Sequence, residues 1–405
     1  MSANGYRVID MDSHTREYVD VDRSYGPYID PEYRESFERL SLAVAKRREA
    51  GRPTALFMHP EAIIEASDES RPLGVYDTFR RDRDARPPSR SRSAEIPREV
   101  HWEPSIRLRD MDEAHVDVSV IFPSHAASYC TLRDVGLETA LHRAHNRYMS
   151  NYCCEAEGRL RWSGIANMRD VGATVEELTY WAEHDDNFIG MLISPSCPDG
   201  TLLDNPDLHP LYRRSEELDL PILVHGGVLR PPYTAGATEL DNSGFLIRAV
   251  YQPWAGMTAV GAMIGGGVFD LFPKLRAGVF ETGAGWMPWL IEQLDDQYEG
   301  RQDLVPYLQR KPSEVLAGGQ LFHAVDSGER YIEHCVQELG DDMWLFGTDY
   351  PHPGTVWPDG VPQIMDRPAL SDSAKRKILG ENAVSFCPRL ARTSVAPTAE
   401  AAVRS

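Results

Sequence analysis

Eight short apolar runs recur along the chain, most of them ending on polar or charged residues. They are RVIDMDSH (residues 7–14), VDVSVIFP (116–123), LRWSGIANM (160–168), NFIGMLISP (187–195), LPILVHGG (220–227), LRAGVFETG (275–283), GQLFHAVD (319–326) and MWLFGTDYP (343–351). Most have near-continuous apolar centres, the pattern of strands buried on both faces. Stretches of helical spacing lie between most of them: ETALHRAHNRYMSNYCCEAEG, TVEELTYWAEH, LHPLYRRSEELD and SGERYIEHCVQELG. Strands alternating with helices predict parallel βαβ units. Eight such strands fit an α/β fold of the (β/α)8, or TIM-barrel, type. An open doubly wound sheet is the rival, but no G-x-G-x-x-G follows the first run.

The polar residues sit late in these runs. In a barrel, active sites form at the carboxyl ends of the strands. Asp12 and His14 end the first run, His225 the fifth, Glu281 the sixth and Asp349 the eighth, while His323 lies in the seventh. Asp12 and His14 are two apart and so share a strand face. Asp10 has the same parity and is either a further ligand or an acceptor that orients a histidine. Converging carboxylates and imidazoles at one mouth predict a divalent metal site.

Composition changes this picture little. The 405 residues are 42% hydrophobic and 26% charged, ordinary for a globular chain. The net charge of -20 disfavours nucleic acid and anionic membranes as partners. No apolar run approaches the roughly 20 residues of a membrane span. MSANGYRV lacks the basic-then-apolar pattern of a signal peptide, and the six cysteines show no C-x-x-C spacing. Both point to a reduced, cytoplasmic setting.

Residues 15–110 interrupt the barrel after its first strand, too long a stretch for an ordinary βα loop. It is expected to be partly helical (PEYRESFERLSLAVAKRREA) and to cover the barrel mouth, within one catalytic domain over 1–390. Residues 391–405 are expected to form a disordered tail. Within the insertion, FRRDRDARPPSRSRSAEIPR holds seven arginines between 80 and 98 against three acids. Arginine clusters grip phosphates and carboxylates, so Arg80, Arg81 and Arg83 are candidates for holding a coenzyme A thioester. A solvated loop is the plainer reading.

VIDMDSH, the LVHGG loop, GVFDLFPKLRAGVFETGAGWMPWLIEQLD and LFGTDYPHP together resemble the amidohydrolase superfamily. The nearest branch is that of aminocarboxymuconate-semialdehyde and resorcylate-type decarboxylases. The resemblance implies a distorted (β/α)8 barrel whose divalent metal is held by Asp12, His14, His225 and Asp349. Relatives often carry His-x-His or Glu-x-His on the first strand; here it is Asp-x-His, which favours harder cations. Decarboxylating relatives tend to place a histidine where this chain has Glu281. That glutamate is a ligand, a base or a strand-end carboxylate. As a ligand it makes room for a second cation, with His225 and Glu281 on one metal and Asp12, His14 and Asp349 on the other.

Three reactions fit such a scaffold. Hydrolysis needs a metal-bound water and a base, with Glu281, His225 and Asp349 as the catalytic candidates. No lysine occurs in NFIGMLISP to bridge two metals as in many hydrolases of the superfamily. Nonoxidative decarboxylation needs a proton donor at the substrate carbon. O2 activation needs a redox metal with open positions, and two histidines with several carboxylates suit iron. A small branch of the superfamily resembling this chain performs nonheme diiron hydroxylation of terpenoid scaffolds. That reading is favoured here, with two iron ions and a carboxylic acid or its coenzyme A thioester as substrate. A hydrolase or decarboxylase holding zinc or manganese is the alternative. The resembled branch also implies a homodimer.

Further residues have duller explanations beside the functional ones. His352 follows Asp349 and either orders its loop or meets substrate. His323 faces the pocket or packs between strand and helix. Ser124 and His125 follow the second strand at the mouth. His142 and His145 lie in a helical run and read as structural. Trp286 floors the pocket or, like Met287 and Trp289, belongs to helix packing. Gly265–Gly267 read as close backbone packing rather than a phosphate loop.

Overall fold

The structure is a computed structural model and describes residues 5–17, 21–49, 96–124, 134–197, 200–226, 246–352 and 355–392. All eight predicted strands are present: β1 (Ile9–Thr15), β2 (Val118–Pro123), β3 (Leu160–Ile165), β4 (Phe188–Ile193), β5 (Ile222–His225), β6 (Ala277–Phe280), β7 (Leu321–Asp326) and β8 (Trp344–Gly347). They pair in parallel, in sequence order from β1 to β8. The seam between β8 and β1 is closed by backbone hydrogen bonds. Asp349 N donates to Asp12 O (2.7 Å) and His14 N donates to Tyr350 O (2.6 Å). The fold is the expected (β/α)8 barrel.

The continuous apolar runs serve two separate cores. Ile9, Met11, Val118, Val120, Phe122, Ile189, Leu192, Leu223, Phe280, Phe322, Ala324 and Leu345 fill the barrel interior. Their strand neighbours Ile121, Trp162, Met191, Ile193, Ile222, Val224, Val279, Leu321, Val325 and Phe346 pack outward against the helices. Alternation on a strand with two apolar faces produces this split. Phe386, Cys387 and Leu390 join the interior cluster from the C-terminal side. They close the amino end of the barrel, where Arg276 Nε donates to Phe386 O (2.7 Å). The open end is therefore the carboxyl end, where the predicted site residues lie.

The described parts of the insertion include the helices Arg34–Glu49 and Pro104–Glu113. Tyr25, Ile29, Phe37 and Leu40 pack on Ala140, Leu141 and Ala144 of the helix Val135–Cys153. Arg80, Arg81, Arg83 and His125 lie outside the described residues, as do 393–405. No described helix is long and apolar enough to cross a membrane. Cys153, Cys154, Cys197, Cys335 and Cys387 are free thiols. Of Gly265–Gly267, the last two pack closely, and a Cβ on Gly267 would lie 2.4 Å from the backbone of Tyr307, whereas a Cβ on Gly265 would meet no atom of the described residues within 4 Å.

Candidate metal centre

Two strands deliver the central donors. His14 and Asp12 come from β1 and His225 from the last position of β5. Asp12 Oδ1 stands 3.3 Å from His14 Nε2 and 3.4 Å from His225 Nε2. Asp349, two residues past β8, places Oδ1 3.4 Å from His14 Nε2. The rings of Phe122 and Phe280 pack beneath, with Phe122 5.3 Å from His225 and 4.9 Å from Phe280 between centroids. The cup is thus polar on its wall and apolar on its floor.

The tautomers are set by the far ring nitrogens. His14 Nδ1–H donates to Pro123 O (3.2 Å) and His225 Nδ1–H to Gly226 O (2.9 Å). Carbonyls only accept, so in the neutral ring each Nε2 carries a lone pair turned into the cup. Asp12 Oδ1, His14 Nε2 and His225 Nε2 are buried and have no hydrogen-bond partner. Buried polar atoms in native folds are almost always paired. Three such atoms around one point fit a divalent cation. Neighbouring donors around an ion at metal–ligand lengths of roughly 2.0–2.2 Å stand about 3.0–3.4 Å apart, as these do. Two imidazoles and two carboxylates suit manganese, iron or zinc.

Charge in the cup is unbalanced without a cation. Burial pushes the Asp349 carboxyl up to about 6, with Asp12 adding to the rise. Glu281 is likewise raised by burial and by Asp349. Burial would also raise Asp12, but the facing His14 and His225 rings outweigh it and hold the carboxylate well below its usual range. Burial opposes a charge on His225, yet Asp12 lifts it to about 9. A divalent cation would offset this crowding of carboxylates.

Glu281 follows β6 directly, with Oε2 3.7 Å from His225 Nε2. Gln252 Nε2 donates to its Oε1 (2.9 Å), and Arg248 lies 3.7 Å from the same oxygen. Among the described residues, two sets of donor atoms fall within a cation's reach of one another: Asp12, His14 and His225, and His14, Asp349 and His352. Glu281 belongs to neither. Its backbone and that of Asp349 are left-handed, with φ of 51° and 53°, a conformation that non-glycine residues seldom adopt.

Three expectations need correcting. Asp10 does not share the face of Asp12 and His14. The β1–β2 register shifts between Asp10 and Ser13, and this irregularity breaks the alternation. Asp10 instead accepts from Thr348 Oγ1 (2.6 Å), Thr348 N (3.1 Å) and Asp12 N (3.1 Å), and burial pushes its carboxyl up to about 7. His323 does not face the pocket. Phe322 and Ala324 point inward, so His323 points out, packed against Trp286 and Trp344 with Nε2 3.1 Å from Thr282 Oγ1. Trp286 packs on the helix layer and donates to Thr282 O (2.9 Å) rather than flooring the cup. His352 and Ser124 do stand at the cup, hydrogen-bonded to each other at 2.7 Å. His142 and His145 are buried in their helix.

Sequence reasoning passed over several groups. Arg107, fully buried, donates to His14 O and to Ser13 Oγ (3.3 Å). Gln252 and Thr348 hold Glu281 and Asp10. Asp326, at the end of β7, is open to solvent although protein atoms crowd around it, as on the wall of a cup. Its carboxyl is raised by burial, by Glu329 and by Asp349. Of these, only Asp326 carried a signal, its place at a strand end.

The comparisons agree with the fold. At 24% identity over 288 residues, the chain is similar to a 2-amino-3-carboxymuconate-6-semialdehyde decarboxylase of Dictyostelium discoideum, covering 70% of this chain and 76% of that one. Among solved structures, an amidohydrolase from Mycobacterium avium subsp. paratuberculosis superposes with a TM-score of 0.69 at 21% identity, over 95% of this chain and 100% of that one. A 5-carboxyvanillate decarboxylase from Novosphingobium aromaticivorans, with bound manganese and 3-methoxy-4-hydroxy-5-nitrobenzoic acid, gives 0.67 at 18% over 94% and 97%. Support for O2-dependent hydroxylation, a coenzyme A carrier or a homodimer is absent from these relatives. The amidohydrolase family profile matches residues 96–387, from ahead of β2 to beyond β8, and the chain belongs to the amidohydrolase family.

Proposed function

We propose that this protein is a metal-dependent lyase that removes a carboxyl group from a small carboxylic acid, without O2, using one divalent cation of the manganese type. The observation that carries the reading is the convergence of Asp12 Oδ1, His14 Nε2 and His225 Nε2, buried and unpaired, beside the Glu281 carboxyl. The decarboxylase names of the Dictyostelium and Novosphingobium relatives supply the reaction class.

Asp12, His14, His225 and Asp349 would hold the cation, which when bound would orient the substrate's oxygens and offset developing negative charge. Glu281, beside His225 at the cup, would supply the proton to the substrate carbon. As the carbon–carboxyl bond breaks, the electron pair stays on carbon and takes the Glu281 proton, and CO2 leaves. Gln252 fixes Oε1 of Glu281 and leaves Oε2 toward the cup.

A second reading, hydroxylation by O2 on two iron ions, draws on the second donor set of His14, Asp349 and His352 and on Glu281 beside His225. One experiment separates them. Manganese-loaded protein is assayed for CO2 release from a panel of aromatic and unsaturated carboxylic acids in O2-free buffer. Turnover there, one cation per chain, and a loss of about 10²–10⁴-fold in kcat for Glu281→Gln with metal content intact are expected. Two irons per chain and turnover only with O2 would overturn decarboxylation in favour of hydroxylation.

A further inference from the structure

His352 lies against the cup, and each of its two nitrogens has a partner outside the three central donors. Nδ1 is 2.6 Å from Asp349 Oδ1 and Nε2 is 2.7 Å from Ser124 Oγ. Its ring stacks on that of His14, 4.2 Å between centroids and 24° between planes. Ser124 is buried at the end of β2, and its backbone N–H donates to Glu17 Oε2 (3.1 Å). The groups form one line, Glu17–Ser124–His352–Asp349, crossing from the end of β1 to those of β2 and β8. That is the seam where the barrel closes.

The hydrogen-bond directions follow from chemistry. An ionised carboxylate only accepts, so Nδ1 of a neutral His352 carries the proton and donates it to Asp349 Oδ1. Nε2 is then an acceptor, and the Ser124 hydroxyl donates to it. Ser124 therefore fixes the tautomer that lets His352 grip Asp349. A carboxylate oxygen has two lone pairs. The His352 N–H takes one on Oδ1, and the other is left toward the space beside His14 Nε2, 3.4 Å away.

We propose that His352, locked by Ser124, is a positioning residue that fixes Asp349 as a one-oxygen donor to the cation. The inference rests on the proposed metal site and adds to it the device that sets the geometry of its fourth donor. Asp349 needs such a device. It follows β8 in a loop, its backbone is left-handed, and Arg248 is close enough to act on its charge. Without His352, its carboxylate is free to turn, to take the cation with both oxygens, or to move toward that guanidinium.

The test measures manganese binding to the whole chain by calorimetry, alongside the thermal midpoint with and without metal. His352→Phe keeps a ring against His14 but has no N–H. His352→Asn places an amide N–H near the Nδ1 position. Ser124→Ala leaves the ring and frees its tautomer. Expected are a manganese Kd raised at least about tenfold in His352→Phe, recovery to within about threefold in His352→Asn, and an intermediate rise in Ser124→Ala. A merely structural role would lower the midpoint equally with and without metal. The proposed role narrows the gap between the two. An unchanged Kd in His352→Phe overturns the proposal, and so does loss of one of two bound cations, which would make His352 a ligand. Should His352→Phe not fold, an unchanged Kd in Ser124→Ala overturns it. Failure of the unaltered protein to bind manganese refutes the metal site itself, a different outcome from a binding protein indifferent to His352.

Discussion

Arg107 offers a direct test of how the ligand strand is held. It is fully buried in the helix Pro104–Glu113, yet among the described residues no carboxylate pairs with it. Its charge is met by the His14 carbonyl, Ser13 Oγ (3.3 Å), Tyr152 OH (3.3 Å) and the face of Tyr350, 5.0 Å from ring centroid to guanidinium carbon. His14 O has no other donor at hand on the β8 side. Pro351 has no N–H, and the N–H of His352 turns to Asp349 O (2.8 Å). Replacing Arg107 by methionine keeps most of the volume and removes the donors. Ser13 Oγ retains Val120 O (2.9 Å) and Tyr152 OH retains Val100 O (2.6 Å), so the carbonyl of His14 is the group left unpaired. An unpaired buried acceptor costs roughly 1–3 kcal/mol and the lost ring contact about 1, partly offset by no longer burying a charge. The expected loss is about 2–3 kcal/mol, a large fraction of the roughly 5–15 that keeps a domain folded. Urea unfolding of the metal-free protein measures it. Because the orphaned carbonyl belongs to a metal donor, manganese affinity should fall about tenfold as well. A loss under about 1 kcal/mol with unchanged affinity would refute the claim that Arg107 anchors His14.

Two further perturbations probe the cup and the scaffold separately. A Cβ on Gly347 would lie 2.8 Å from Asp12 Cβ, so Gly347→Ala should displace Asp12 and weaken manganese binding by about tenfold, read by calorimetry; unchanged binding would mean that Asp12 has slack. His145 is buried with both ring nitrogens unpaired, and burial depresses it to about 3. Its folded value lies below the unfolded one. The stability of the neutral form is therefore present above about pH 6.5 and is lost as pH falls toward about 3. Between pH 6.5 and 4.5 the loss is about 2–3 kcal/mol, and His145→Leu should flatten that part of the denaturation-midpoint profile. An equally steep profile in the variant would assign acid sensitivity to other groups.

What the sequence disclosed and what it withheld divide along a physical line. Strands buried on both faces leave long apolar runs, so all eight were legible, and residues closing those runs had to meet at the barrel mouth. Asp12, His14 and His225 followed from that rule alone. Side-chain parity was less secure, because it depends on register. The irregularity after Asp10 reversed the reading of its face, the inward turn of Phe322 and Ala324 decided the open reading of His323, and no local residue marks either event. Groups that act across the fold were invisible for another reason. Arg107 reaches His14 from 93 positions away and Ser124 reaches His352 from 228, distances over which one sequence carries no signal. Glu281 and Asp349 show the limit most sharply. Both swing a carboxylate into the cup from left-handed backbone, where glycine or asparagine would be the residue expected. Such strain, of order 1–3 kcal/mol each, persists only where surrounding contacts over-determine it. Gln252 and Arg248 on Glu281, and His352 and the Asp12 carbonyl on Asp349, are those contacts. The two carboxylates that local propensity would have placed elsewhere are therefore each restrained by contacts from other parts of the barrel, which is what a site that must present charge at a fixed point requires.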